Sequence, residues 1–213
     1  MKHMPVAIFD MDGTLIDSMP YWARSVVQIL DEEKIPYPDD IVRILTPLGY
    51  RGSAKYYREV LGMDTDEDAL VLRMKANATP MYRDLIQLKP NVREYIEKLR
   101  AEGVTCCVLT ASPHSSTDVC LQRNGIFDLF AQVWCTDDFG LTKDDPAIYQ
   151  QAAARLGVDI GDIRFFDDNL VALQTAKKAG MEVVGVHDAS SDCDRAAIEA
   201  LVSCYVTNYS ELL

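Results

Sequence analysis

The chain has 213 residues, 48% hydrophobic and 25% charged, with no low-complexity tract or repeat, which describes a globular protein built as one large domain or as a core carrying a smaller insertion. Its formal charge of −12, without a cluster of Lys and Arg, argues against a nucleic-acid surface, because phosphate backbones are neutralised by clustered cations; a small anionic substrate would need local neutralisation by a metal, a lysine or backbone amides. No apolar run approaches the roughly 20 residues of a membrane span, and Met1-Lys2-His3-Met4-Pro5 leads into a strand rather than a signal sequence, so a cytoplasmic location is the expectation.

The apolar run Val6-Ala7-Ile8-Phe9 reads as a strand that delivers two carboxylates, Asp10 and Asp12, and the pair Gly13-Thr14 breaks it immediately afterwards. Residues two apart share a face of an extended strand, but a turn beginning here can separate the two acids into different jobs. Two crowded acids without a counter-charge are costly, which implies a divalent cation or a cationic side chain arriving from elsewhere. Asp17 or Ser18 can cap a helix through Tyr21, Val26, Val27, Ile29 and Leu30, ended by Pro36-Tyr37-Pro38. From about 39 to 86 no strand is evident, and apolar residues recur at helical spacing, as in Tyr56, Tyr57, Val60 and Leu61. This stretch reads as a small helical insertion. Within it, 46–52 is expected to be a turn-rich loop with Tyr50 and Arg51 at its tip.

From Leu88 strand and helix alternate. Helix is expected at 90–102, strand at 104–109 ending on Thr110, helix at 115–124 and strand at 132–135. The acidic loop Asp137-Asp138 and Lys143 follow, then helix 146–156, strand 163–166 ending on Asp167-Asp168, helix 170–179, strand 182–186, helix 192–202 and strand 204–206. Strands that are continuously apolar are buried on both faces, as parallel strands between helices are. The fold expected is therefore a doubly wound α/β parallel sheet, formed by residues 1–18 and 87–213, with a small all-helical cap over 19–86. Cys106, Cys107, Cys120, Cys135, Cys193 and Cys204 show no CxxC or zinc-knuckle spacing and read as reduced, mostly buried small hydrophobes.

In open parallel α/β sheets the site lies outside the carboxyl ends of the strands, where this chain puts Asp10 and Asp12, Thr110 and Ser112, Lys143, and Asp167 with Asp168. Taken singly, Thr110 can be a helix cap, Lys143 a solvated lysine and Asp167-Asp168 a turn. Together they supply acid, hydroxyl and cation from four loops. His114 reads as a surface histidine at a helix start, with substrate contact as the alternative; His3 and His187 carry no argument.

Asp10-Met11-Asp12-Gly13-Thr14 resembles the first motif of the haloacid dehalogenase superfamily of phosphatases and phosphomutases. Val108-Leu109-Thr110 resembles its second motif, Lys143-Asp144-Asp145-Pro146 its lysine motif, and Phe165-Phe166-Asp167-Asp168 its acidic fourth motif, with the helical insertion matching its cap. The chain departs from the usual pattern at Asp144, where proline is common, at Asn91, where glycine is common, and at Asp167-Asp168-Asn169, where Glu-Asp-Ser is common. None removes a charge or hydroxyl that the chemistry needs.

The resemblance implies a Rossmann-like core and a phosphate-monoester chemistry through an aspartyl-phosphate. Asp10 would be the nucleophile and Asp12 the general acid and base. Mg2+ would be held by Asp10, Asp168 and the Asp12 carbonyl, with Asp167 binding either directly or through water. Lys143, the Thr110 hydroxyl and backbone amides including those of Met11 and Ala111 would meet the phosphoryl oxygens. Tyr21, Trp22, Tyr50 and Arg51 are the cap candidates for substrate contact, with core packing the alternative for Trp22. Phosphomutase relatives carry a histidine twelve residues after the nucleophile; here that residue is Trp22, so hydrolysis of a small phosphate ester is preferred. A non-catalytic phosphometabolite-binding protein is the rival from another class. The expected partner is a small phosphorylated metabolite, with no nucleic acid, no membrane, and a monomer or weak homodimer.

Overall fold

Six strands form one parallel sheet in a computed structural model that describes residues 4–213, apart from the side chain of Pro47. Residues 1–3, with His3, lie outside the described residues. The strands are β1 (Val6–Phe9), β2 (Thr105–Thr110), β3 (Gln132–Cys135), β4 (Ile163–Asp167), β5 (Glu182–Val186) and β6 (Cys204–Val206). They lie in the order β3-β2-β1-β4-β5-β6, every neighbouring pair parallel.

The helices are α1 (Met19–Glu33), α2 (Ile41–Leu45), α3 (Gly49–Glu59), α4 (Glu67–Asp84), α5 (Val92–Ala101), α6 (His114–Arg123), α7 (Pro146–Leu156), α8 (Leu170–Ala179) and α9 (Arg195–Leu201). The chain divides into two compact units. One is built from the chain through Asp17 and again from Gln87 to Leu213; the other is Ser18–Ile86.

The strands form where apolar residues run unbroken, and the central ones are buried on both faces as that pattern requires. On one face Val6, Ile8, Cys107, Leu109, Ile163 and Phe165 pack with Tyr149 and Ala152 of α7 and Leu173 and Ala176 of α8. Each large apolar side chain fully buried in this way contributes roughly 1.5–3 kcal/mol. On the other, Phe9 stacks on Phe166 at 4.4 Å between ring centroids, and Tyr95 of α5 meets both rings edge-on. The helices begin where side chains can take up orphan amides: Asp145 accepts from the Ala147 amide before α7, and Asn169 from the Val171 and Ala172 amides before α8.

Strand order reverses beside β1. From β1 the chain steps outward to β2 and β3, then returns to lay β4 against the other side of β1. The crevice at such a reversal is where open α/β sheets receive ligands, and here it is flanked by Asp10 after β1 and by Asp167 and Asp168 at the end of β4.

The helical unit has its own core, in which Trp22, Val26, Ile29 and Leu30 of α1 meet Ile41, Leu45, Ala54, Tyr57, Leu70 and Met74. Buried Tyr57 donates its hydroxyl to the Val26 carbonyl at 2.7 Å, and Arg73 of α4 bridges Glu32 and Glu33 at the end of α1. The stretch 46–52, expected as a loop, is instead a 3₁₀ turn over Thr46–Leu48 running into α3. Gly49 and Gly52 suggested a turn, but only Gly49 uses a positive φ (61°). Gly52 lies inside α3, where a Cβ would meet the Leu48 side chain at 2.7 Å, so the glycine there serves close packing rather than a turn. Tyr50 and Arg51 therefore stand on the first turn of a helix. The terminal helix expected at 192–202 is also shorter, with a 3₁₀ segment Ala189–Asp194 capped by Asp188 preceding α9.

Candidate active site

At the end of β1 the backbone reverses at once. The Met11 carbonyl accepts from the amides of Thr14, Leu15 and Ile16, and the Gly13 amide donates to the Ile16 carbonyl at 3.1 Å. Gly13 sits at φ +76°, and a Cβ there would lie 2.8 Å from the carboxylate of Asp168, so this position requires glycine on conformational and steric grounds alike. Met11 is fully buried, and with its carbonyl spent in the turn any role toward a ligand falls to its amide.

The turn separates the two acids. Asp10 is buried and accepts from the Lys143 ammonium, which also donates to Asp167 Oδ2 at 3.0 Å. Asp12 is half-buried and accepts from the Ser112 hydroxyl at 2.6 Å. The two carboxylates thus have different surroundings, one facing an ammonium and the other a hydroxyl. Thr110, fully buried at the end of β2, accepts from the Ser112 amide at 3.0 Å, which holds the loop carrying Ser112 against the strand and leaves the Thr110 hydroxyl proton to donate. Ala111 is exposed beside it.

Lys143 is held from behind. The hydroxyl of buried Tyr149 lies 2.9 Å from the Lys143 carbonyl and 3.1 Å from that of Ala172. Burial alone would pull the lysine down, yet Asp10 and Asp167 keep it well above its ordinary value and therefore cationic. Asp167 receives the Asn169 amide at 2.8 Å on its other oxygen. Asp168 accepts from Thr14 at 3.2 Å and Ser191 at 2.9 Å.

Asp10, Asp167 and Asp168 converge so that one oxygen of each lies within 4.8 Å of the others. Burial raises Asp10 well above the usual carboxylate range, with Asp167, Asp168 and Asp12 adding repulsion that Lys143 opposes. Burial, then Asp167 and Asp188, push Asp168 up to about 7. One ammonium does not balance three buried carboxylates. Their hard oxygen donors and their mutual repulsion fit a divalent cation of the magnesium class, which this trio could hold.

Four neighbours, Lys89, Asp188, Ser190 and Ser191, carry no signal in the motifs above. Lys89 pairs with buried Asp188 at 2.9 Å and donates to the His187 carbonyl at 2.6 Å. Asp188 accepts from the amide and hydroxyl of Ser190, and adjacent Ser191 reaches Asp168. A fifth strand end, after β5, therefore supports the site. The same strand-end rule that singled out the other four points to it.

The cap candidates are described within their own unit. Trp22 is buried in its core and lies 5.9 Å from Tyr50, ring to ring, with the planes tilted by 46°. Tyr21 is half-buried, and exposed Arg51 pairs with Asp68. His114 is the surface histidine at the start of α6.

A family model described as haloacid dehalogenase-like hydrolase matches residues 4–180. Among curated proteins the chain is similar to a phosphorylated carbohydrates phosphatase of Thermotoga maritima, 26% identical over 92% of this chain and 91% of that one. It is also similar to a phosphoglycolate phosphatase of Pseudomonas putida, 30% identical over 85% and 68%, and to hexitol phosphatase B of Escherichia coli, 28% identical over 90% and 88%. Of solved structures, CbbY of Rhodobacter sphaeroides in complex with phosphate superposes with a TM-score of 0.83 at 19% identity, over 98% of this chain and 96% of that one. At that identity the likeness speaks for the fold. The family match spans the strand ends that carry Asp10, Thr110, Lys143 and Asp168, and the chain belongs to the haloacid dehalogenase-like hydrolases.

Proposed function

We propose that the chain is a Mg2+-dependent phosphatase that hydrolyses a small phosphate monoester, of the sugar-phosphate or phosphoglycolate kind, through an aspartyl-phosphate on Asp10. The observation that carries this reading is the division between Asp10, tied to Lys143 beside Asp167 and Asp168, and Asp12, tied to Ser112. A binder needs neither a buried nucleophile held by an ammonium nor a second acid set apart from it.

Asp10 attacks phosphorus as the ester oxygen leaves, forming an acyl phosphate, and Asp12 gives its proton to the departing alkoxide. Water then attacks the acyl phosphate, passes a proton to Asp12 and frees Asp10 with inorganic phosphate. Lys143 and the Thr110 hydroxyl, with the Met11 and Ala111 amides, meet charge on the transferring group. Asp10 and Asp168, with the Asp12 carbonyl and Asp167, would hold Mg2+, and the bound cation would supply positive charge against that of the phosphate and the carboxylates. Ser112 holds the Asp12 carboxylate, and Lys143 holds that of Asp10 ready for attack.

The core of this reading is 1–18 with 87–213 and 19–86 is its cap, in which Tyr21, Tyr50 and Arg51 are the candidates for substrate contact, while Trp22, buried in the helical unit's own core, takes the packing alternative. The named activities of the curated relatives, on phosphorylated carbohydrates, phosphoglycolate and hexitol phosphates, support this substrate class. Release of phosphate from p-nitrophenyl phosphate and a panel of sugar phosphates is expected with Mg2+, lost in EDTA and abolished by Asp10→Asn. Undiminished turnover by that variant would end the proposal.

A further inference from the structure

A second cluster of ligating side chains lies away from the three carboxylates, where β3 ends and α6 begins. His114, Cys135 and Asp138 each offer one ligand atom, and these atoms lie within 4.8 Å of one another. We infer that His114, Cys135 and Asp138 form a binding site for a zinc-class divalent cation, with Asp118 orienting the histidine.

Two of the ligands are fixed by a reciprocal cap. Cys135 precedes the 3₁₀ turn Thr136–Asp138; its sulfur accepts from the Asp138 amide, and the Asp138 carboxylate accepts from the Cys135 amide at 2.9 Å. The third is fixed from outside, since His114 Nδ1 lies 3.0 Å from Asp118 while Nε2 faces Asp138 at 3.0 Å. A carboxylate on one imidazole nitrogen with the other aimed at the metal is the usual support of a histidine ligand.

Tetrahedral zinc, with bonds of about 2.0–2.3 Å, spaces its ligand atoms by roughly 3.3–3.8 Å; His114 Nε2 and Asp138, 3.0 Å apart, must part slightly, and the Cys135 sulfur, within 4.8 Å of both, completes the set by a small side-chain adjustment. Sulfur and imidazole donors select zinc or cobalt over magnesium. The half-exposed His114 and Asp138 side chains provide an entry path, and water completes four-coordination. Burial pushes the Cys135 thiol up to about 12, so binding displaces its proton to solvent and is tighter at higher pH.

The rival is a plain ion pair, His114 held between Asp118 and Asp138. The EDTA-treated full chain is titrated with Co2+ and Zn2+, with absorption spectra and calorimetry as readouts. Beside any ion taken by the three carboxylates, the expected result is one tightly held ion per chain, tetrahedral visible bands, and a near-ultraviolet thiolate-to-cobalt band. Millimolar Mg2+ should leave all three unchanged. Cys135→Ser, which keeps an ordinary cap at that position, should abolish the thiolate band and weaken Zn2+ at least tenfold. Asp118→Asn should weaken it about 10–100-fold. Asp10→Asn should keep the band, which separates this site from the three carboxylates. A wild-type chain without a thiolate band, or a Cys135→Ser variant that binds Zn2+ as tightly, leaves the ion pair as the whole account.

Discussion

Gly13 and Asp168 occupy adjoining space at the crevice: a Cβ on Gly13 would stand 2.8 Å from the Asp168 carboxylate carbon and from both its oxygens, at a φ of +76°. Gly13→Ala must therefore both strain the backbone, by roughly 1–2 kcal/mol, and displace a buried acid. The variant should unfold at lower denaturant, with a total loss of about 2–3 kcal/mol, and its affinity for Mg2+ should fall. Equilibrium unfolding and Mg2+ titration check both effects.

Ser112 touches Asp12 at 2.6 Å across 100 residues of sequence. Ser112→Ala leaves the carboxylate in place but lets it turn. A reduction in kcat of about tenfold is expected, within the range of one misdirected acid-base group, with KM nearly unchanged. A variant with an unaltered kcat would show that Asp12 is oriented by other means.

Asp168 is pushed up to about 7 by burial and by Asp167 and Asp188, whereas an unfolded aspartate titrates near 3.9. A group raised in the folded state adds stability that is fully present below its unfolded value and is lost as pH rises through the folded one. Asp168→Asn should thus be more stable than the parent in EDTA, by about 1–3 kcal/mol at pH 8, with the advantage shrinking toward pH 4. The same variant should lose stabilisation by Mg2+. Melting curves at several pH values, with and without the metal, test the sign.

Asn91 has φ 64°, just before α5, which explains why glycine is the common alternative there and asparagine an acceptable one. Asn91→Gly should be nearly neutral, while Asn91→Ala should cost about 1 kcal/mol. Chemical denaturation distinguishes them. Equal losses would mean that the side chain rather than the backbone angle is what counts.

All six cysteines are free thiols, four of them buried. Burial holds Cys107 and Cys120 at about 11, and Cys106 and Cys135 at about 12. A disulfide reagent at pH 8 should modify exposed Cys193 quickly and half-buried Cys204 slowly, because only the thiolate reacts. The other four should respond only once the chain is unfolded. Rapid modification of more than two thiols in the native protein would contradict this burial.

The sequence by itself determined the strands and most helices, because the periodicity of apolar residues and the capping residues Asp145 and Asn169 act over a few positions. It also marked Asp10, Asp12, Thr110, Lys143 and Asp167-Asp168 as a set, since a parallel sheet brings its strand ends to one edge. Short-range signals misled where glycine had two meanings: Gly52 reads as a turn, yet it lies inside a helix and its missing side chain makes room for Leu48. Only the tertiary structure decided the partners, because they join residues far apart in the chain. Lys143 meets Asp10 across 133 residues, and Lys89 meets Asp188 beside the serine that holds Asp168. Charge balance in a buried site depends on which groups share a few ångströms, and no local pattern of residues encodes that distance.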